Sequence, residues 1–302
     1  MNEAFVEFLN DNKIEYQTNV SMSQYTTFKI GGEADFMCFP NSVIEIKSII
    51  SWCIKNNFPY FVLGNGSNLL VSDSGIEGAV IKLSKFCDIK LISGVEIECG
   101  AGIKLSKLCT FALENSLSGM EFAWGIPGTV GGAIYMNAGA YGSEVCNVIT
   151  ECTYIDDEGQ VVTADVSALE LGYRSSIFSG KNCVILSAKF KLSPSRIDLI
   201  KEQMDDLIER RKSKQPLEYP SAGSTFKRPT GYYAAALIEE CGLKGTSVGD
   251  AEVSTKHSGF IINKGNATCV DVVSLIKKVT QEVYMQKSVN LEPEVKIIGR
   301  QY

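Results

Sequence analysis

Apolar residues along this chain recur either every three or four positions or in short, nearly unbroken runs. The first pattern marks amphipathic helices and the second marks buried strands. Ser42-Val-Ile-Glu45 has the spacing of a capping box, and Ile46, Ile49, Ile50, Cys53 and Ile54 follow at helical intervals. Phe61-Val-Leu63 reads as a short strand running into Gly64, with further strands at Ala79–Leu83 and Val95–Cys99. Leu69-Leu-Val followed by Ser-Asp-Ser-Gly75 reads as strand and turn. A second helix carries Leu105, Leu108, Cys109 and Ala112, with Gly119 as its expected stop. Cys152–Ile155 and Val161–Thr163, joined through Asp-Asp-Glu-Gly159, predict a hairpin, and Val184–Leu192 a long strand.

Beyond that point, Ser193-Pro194-Ser195 is the expected cap of a helix whose Ile200, Met204, Leu207 and Ile208 share one face. It runs into Arg210-Arg-Lys-Ser-Lys214 and stops at Pro216, and the main domain boundary is expected inside this stretch. A short helix over Tyr232–Glu240 stopped by Gly242, a strand Gly259–Asn263, and a helix with Val272, Ile276, Val279 and Val283 on one side complete the pattern. Helix and strand are mixed throughout, with no internal repeat.

Composition removes several classes of function. With 302 residues the chain is long enough for two domains, and 29 Lys+Arg against 35 Asp+Glu leave a net charge of −6. No global basic field therefore draws in nucleic acid or an anionic membrane. The first residues, Met-Asn-Glu-Ala-Phe-Val-Glu, carry acid where a signal peptide needs positive charge, and no apolar run approaches the ~20 residues of a membrane span. The expected location is the cytoplasm. The ten cysteines fit that setting as small buried thiols, since no C-x-x-C occurs and the lone histidine, His257, has no cysteine at zinc-ligand spacing. No metal is expected.

Three regions could carry chemistry. Gly64-Asn-Gly-Ser-Asn-Leu69 follows a strand, and its small residues let backbone N–H groups converge on an anion. It lacks the third glycine of a dinucleotide fingerprint, and a tight turn between strands is its other reading. Between Gly119 and Gly142 lie seven of the 27 glycines, interleaved with Trp124, Ile126, Val130, Ile134, Tyr135 and Met136. Ordering so many glycines costs chain entropy, and close approach of backbone to an extended ligand is a compensating reason. Two such loops suggest a long dinucleotide; a flexible linker fits the interleaved apolar residues poorly. The third region comprises Tyr219–Pro229, Ser254–Phe260 and Leu291–Val295. There a glycine before Ser224 exposes its hydroxyl, and Lys227 and Arg228 would favour an anionic neighbour. Taken singly, these read first as an ordinary turn, a surface charge at Glu294 and a locally bonded His257.

Together the motifs point further. Tyr25-Thr-Thr-Phe-Lys-Ile-Gly-Gly32, Leu63-Gly-Asn-Gly-Ser-Asn-Leu69, Gly125-Ile-Pro-Gly-Thr-Val-Gly-Gly132, Asn137-Ala-Gly-Ala-Tyr-Gly142, Tyr173-Arg-Ser-Ser-Ile-Phe178, Ala222-Gly-Ser-Thr-Phe226 and Leu291-Glu-Pro-Glu-Val295 occur in that order. In this the chain resembles the MurB flavoenzymes, the UDP-N-acetylenolpyruvoylglucosamine reductases of bacterial peptidoglycan synthesis, and among them the shorter type II branch.

The resemblance implies an α+β fold: an FAD-binding unit of the vanillyl-alcohol-oxidase kind in two α+β subdomains, plus a C-terminal α+β substrate-binding domain. The implied boundaries are 1–82 joined by 295–302, then 83–213, then 214–294. It implies non-covalent FAD, since the only histidine lies in the substrate domain, with NADPH as co-substrate. Cofactor contacts are implied at Tyr25, Gly64, Asn65, Gly66, Ser67, Asn68, Leu69, Ile126, Pro127, Gly128, Thr129, Gly132, Ala133, Asn137 and Gly139. The implied reaction reduces the enolpyruvyl ether of UDP-N-acetylglucosamine enolpyruvate to the lactyl ether of UDP-N-acetylmuramate. Arg174 would bind the substrate carboxylate, Ser224 would donate the proton, and Glu294 would assist as acid or polarise the carboxylate. Substrate contacts are implied at Tyr141, Arg210, Lys214 and His257. Arg228 stands where the longer branch has asparagine, and it is carried as a substrate contact on position alone. Two other functions compete: an FAD oxidase or dehydrogenase of the same cofactor fold acting on a small alcohol or lactone, and a nucleotide-binding module without turnover. Neither gives Arg174, Ser224 and Glu294 a common task.

Overall fold

Two apolar cores organise the chain in the computed structural model, which describes residues 2–301. Each core belongs to one compact unit. The first unit takes the chain up to Gln17, Phe36–Asn65 and Gly78–Arg210; the second takes Thr18–Asp35, Gly66–Glu77 and everything from Arg211 on.

In the first unit the helix Asn2–Asp11 buries Phe5 and Leu9. The Phe5 ring packs against Trp52, Phe58 and Phe36 with centroids 4.7, 4.9 and 5.0 Å away, an aromatic cluster that anchors the N-terminal segment. Val43–Lys55 is the first amphipathic helix of the sequence pattern. Ser42 Oγ accepts the Glu45 N–H, and Glu45 Oε2 accepts the N–H of Asn41 in return, one residue before the expected Ser42. Ile54 is 56% exposed, so the buried stripe is Ile46, Ile49, Ile50 and Cys53 only. Tyr60–Leu63 lies parallel to Ile76–Lys82, with Tyr60 opposite Ala79.

A five-stranded sheet follows in the order Val161–Asp165, Ile149–Ile155, Val184–Lys191, Glu96–Gly100, Ile89–Ser93, every neighbouring pair antiparallel. The Ile149–Ile155 and Val161–Asp165 hairpin turns through Asp156–Gly159, as the alternation required. Helix Leu105–Glu114 buries Leu105, Leu108, Cys109 and Ala112. It ends at Asn115, and Ser116 takes the left-handed conformation (φ +56°). Gly119 is therefore not its stop; it follows a short strand, Leu117–Ser118. That strand pairs with Ser193–Pro194, which is thus a strand and not a helix cap. The helix beyond runs Ile197–Lys214 and buries Ile200, Met204 and Leu207.

The second unit has a three-stranded antiparallel sheet, Ser247–Val248, Ala251–Val253 and Ile261–Asn263, with helices Ala234–Glu240 and Cys269–Lys287. Thr268 and Asp271 form a reciprocal capping box on the longer helix, and Asp73 accepts the N–H groups of Cys269 and Val270 at 2.8 and 3.1 Å. Segments far apart in sequence share this core: Phe28, Ile30 and Leu70 join Phe226, Val272, Val279 and Val283. The C-terminal strand Lys296–Ile298 pairs in parallel with Leu69–Val71.

All ten cysteines are free, six of them buried. Burial pushes the Cys38, Cys53, Cys99, Cys109 and Cys152 thiols up to about 12, which leaves them poor nucleophiles at neutral pH. Among the described residues, no His/Cys/Asp/Glu cluster could hold a metal and no helix is long and apolar enough to cross a membrane.

Candidate functional site

The glycine loops meet first within the first unit. Gly64 closes strand Tyr60–Leu63, and a Cβ there would stand 2.7 Å from Thr129 Oγ1. Asn65 Nδ2 donates to Pro127 O at 2.6 Å, joining the loop to Gly125–Thr129. Backbone bonds hold that second loop: Leu105 N–H to Gly128 O and Val130 N–H to Ile103 O, at 3.0 and 2.9 Å. Thr129 caps the short helix Val130–Tyr135 through the Gly132 N–H, and Ala133 is buried within it. Ile126 and Gly128 are half-buried while Pro127 and Gly132 are exposed, so the loop offers backbone rather than bulk.

Lys82, which the sequence reading passed over, sits beneath this junction. Its ammonium donates to Gly64 O at 2.7 Å, and burial, then the charge of Lys104, lower its pKa. An anion at the loop would relieve both costs. The only sequence signal was a lysine ending the apolar run Ala79-Val-Ile-Lys82. Small residues, amide donors and a half-buried cation suit a diphosphate, so the donor set fits a dinucleotide cofactor such as FAD.

The remainder of the first loop belongs to the second unit. Gly66 has φ +63°, and a Cβ there would fall 2.1 Å from Tyr25 O. Thr27 N–H donates to Gly66 O at 3.3 Å, so the Tyr25 segment and the loop define each other's path. Ser67 and Leu69 are half-buried. Asn68 joins this loop to a second candidate: its Nδ2 donates to Glu294 O at 3.2 Å, and its own carbonyl accepts the Lys296 N–H at 3.0 Å.

Glu294 and Ser224 are brought to neighbouring positions within this unit. Phe226 pairs antiparallel with Pro293, Glu294 N–H donates to Thr225 O at 2.7 Å, and Lys227 N–H donates to Glu292 O at 2.9 Å. Glu294 therefore stands opposite Thr225, the residue after Ser224. Thr225 is buried and accepts the Ile261 N–H on Oγ1, which fixes the segment, while Ser224 is exposed after Gly223 at φ +79°. Lys227 does not supply a cation to Ser224; it pairs with Glu292. The Arg228 guanidinium lies over the Tyr233 ring, 4.4 Å from its centroid.

His257 Nδ1 accepts the Gly259 N–H at 3.2 Å and packs edge-on to Phe260. Burial lowers its pKa below 6.5, so it is a neutral imidazole at pH 7. Arg210 pairs with Asp206 at 2.9 Å on the helix that ends at Lys214, and both cations are exposed.

Returning to the first unit, Arg174 occupies a tight turn closed by reciprocal Gly172 and Ser175 backbone bonds of 3.1 and 3.3 Å. It has φ +54°, and its guanidinium lies over the Tyr173 ring and donates to Gly139 O at 3.3 Å. Tyr141 also has positive φ, is 44% exposed, and donates its hydroxyl to Leu207 O. Asn137, expected among the cofactor contacts, has a side chain with no exposed surface: Nδ2 donates to Gly172 O and Oδ1 accepts the Cys146 N–H, each at 3.0 Å. Two further residues were missed. Ser176 donates to Tyr135 O at 2.8 Å, and the buried Glu121 accepts the Gly119 N–H at 2.7 Å ahead of the glycine-rich loop.

Comparison with known proteins places these loops in a family. Residues 34–165 match the FAD binding domain, and residues 215–298 match the UDP-N-acetylenolpyruvoylglucosamine reductase C-terminal domain. A UDP-N-acetylenolpyruvoylglucosamine reductase of Clostridium novyi is 50% identical over 289 residues, 96% of this chain and 94% of its own. The enzyme of that name from Clostridium tetani is 50% identical over 283 residues, 94% and 92% of the two chains. The crystal structure of MurB from Thermus caldophilus superposes with TM-score 0.80 at 35% identity, covering 94% of this chain and 98% of that one. A berberine bridge enzyme variant shares the fold alone, at TM-score 0.51 and 15% identity over 64% of this chain and 43% of its own. The fold is thus the α+β FAD-binding fold of the vanillyl-alcohol-oxidase kind with a C-terminal α+β domain. The chain belongs to the UDP-N-acetylenolpyruvoylglucosamine reductase family, MurB.

Proposed function

We propose that this protein reduces UDP-N-acetylglucosamine enolpyruvate to UDP-N-acetylmuramate, with NADPH as reductant, as a cytoplasmic step of peptidoglycan synthesis. The observation that carries this reading is the 50% identity, over 96% of the chain, to a reductase of that name. The Gly64–Leu69 and Gly125–Ala133 loops and the Tyr25 segment would hold FAD, which when bound would supply the hydride that NADPH provides. Hydride addition to the terminal vinyl carbon leaves negative charge on the adjacent carbon and its carboxylate. Arg174 binds that carboxylate and stabilises its enolic form, a task for a permanently charged planar guanidinium. Ser224 gives its proton to the adjacent carbon, completing addition of two hydrogens across the double bond. Glu294, opposite Thr225 in the paired segment, polarises the carboxylate or shares its proton. Arg210 and Lys214 meet the diphosphate, and His257, being neutral, offers a hydrogen bond rather than a charge. Tyr141 and Arg228 complete the substrate contacts.

The test separates the two half-reactions. The Ser224→Ala variant should still have its flavin bleached by NADPH, while its reoxidation by the enolpyruvyl sugar nucleotide slows by at least ~10². Equal slowing of both steps would reject the proton-donor role. Oxidation of a simple alcohol or lactone, with no effect of the enolpyruvyl compound, would reject the function itself.

A further inference from the structure

Arg174 stands where a turn ordinarily wants glycine or asparagine. Its φ of +54° lies in the left-handed region that an L-residue other than glycine or asparagine rarely adopts, so neighbours must impose the conformation. One strip of chain, Tyr135–Gly139, supplies three of the contacts to this turn and its flank. Asn137 Nδ2 holds Gly172 O at the start of the turn, Gly139 O receives the Arg174 guanidinium, and Tyr135 O receives the Ser176 hydroxyl just after it. Of the three, Asn137 alone contributes its side chain, which is buried with both polar atoms bonded. With no exposed surface, that side chain is left to act through the turn. Its own φ of +41° is one that asparagine tolerates and most residues do not.

We propose that Asn137 is a positioning residue for Arg174: its buried amide pins the Gly172–Ser175 turn to the glycine-rich loop and so sets the guanidinium that receives the substrate carboxylate. The inference rests on the reductase reading above. It differs from a cofactor contact because it predicts coupling to Arg174 rather than to flavin.

A double-mutant cycle tests it on holoenzyme, with rates of flavin reoxidation by the enolpyruvyl sugar nucleotide taken per bound flavin. Asn137→Gly keeps the backbone conformation and removes both side-chain bonds; Asn137→Asp keeps the acceptor and removes the donor. Each should slow reoxidation roughly 10-fold or more, the loss typical of a misplaced binding group. Each should also weaken binding of UDP-N-acetylmuramate, measured by calorimetry, by a similar factor. Arg174→Ala should cost more, and adding either Asn137 change to it should cost no more than about two-fold further. Fully multiplicative losses would overturn the positioning role, as would an unchanged product affinity. Should Asn137→Gly fail to fold, Asn137→Asp carries the same cycle. A wild-type enzyme inert towards the enolpyruvyl compound would instead overturn the reductase reading, and an Arg174→Ala variant as fast as wild type would overturn the role of Arg174.

Discussion

At the scale of single residues, side chains that read alike in the sequence have different tasks in the fold. Lys227 and Arg228 look like one cationic patch beside Ser224, yet Lys227 pairs with Glu292 while the Arg228 guanidinium lies over the Tyr233 ring. His257 shows the same difference for a titrating group. Burial disfavours its cation, and its Nδ1 accepts the Gly259 N–H, a bond that protonation at that nitrogen would break. The folded state therefore resists a proton that the unfolded chain takes up near pH 6.5, and stability must fall as pH drops through and below that value. Melting temperatures of wild type and His257→Gln, followed from about pH 8 to about pH 5, check this. The advantage of wild type should be complete above pH 7 and shrink on acidification; an advantage that grows instead would mean that the folded protein favours the imidazolium.

At the scale of elements, local signals were the legible ones. The helix Val43–Lys55, the hairpin through Asp156–Gly159 and the helix Cys269–Lys287 each follow from a stripe, a turn or a cap contained in a few neighbouring residues. Ser193–Pro194 was misread because its role depends on Leu117–Ser118, a partner that no local pattern announces. Candidate site residues divide the same way. Ser224 and Glu294 were singled out by motif, but the antiparallel pairing that makes them neighbours is long-range. Lys82 carries no motif and Ser176 is one unmarked position inside the Tyr173–Phe178 motif, and both act through contacts distant in sequence. The Gly64–Leu69 loop joins both kinds of signal, since Gly66 combines a positive φ with a Cβ position 2.1 Å from Tyr25 O. Gly66→Ala should displace the Tyr25 segment, lower stability by at least ~1 kcal/mol, and yield protein depleted in flavin. Full flavin content with an unchanged melting temperature would show that the loop does not hold the cofactor in this way.

At the scale of the whole molecule, the chain crosses between its two compact units at five places, so sequence continuity and folding units do not coincide. Residues 211–302 contain most of the second core but lack Phe28, Ile30 and Leu70, which are nearly fully buried in it. Losing three large apolar side chains, at roughly 2–5 kcal/mol each, removes about as much stability as a small domain holds in total. The isolated 211–302 fragment should show no cooperative thermal transition by circular dichroism; a sharp transition would mean that the upstream segments are dispensable. The function itself requires that one cofactor accept reducing equivalents and deliver them to an enolpyruvyl ether. The most direct measurement is the visible spectrum of the purified protein through one cycle without oxygen. NADPH should bleach a flavin band, and adding UDP-N-acetylglucosamine enolpyruvate should restore it with one lactyl product formed per flavin. A band that stays bleached after that addition would contradict the account.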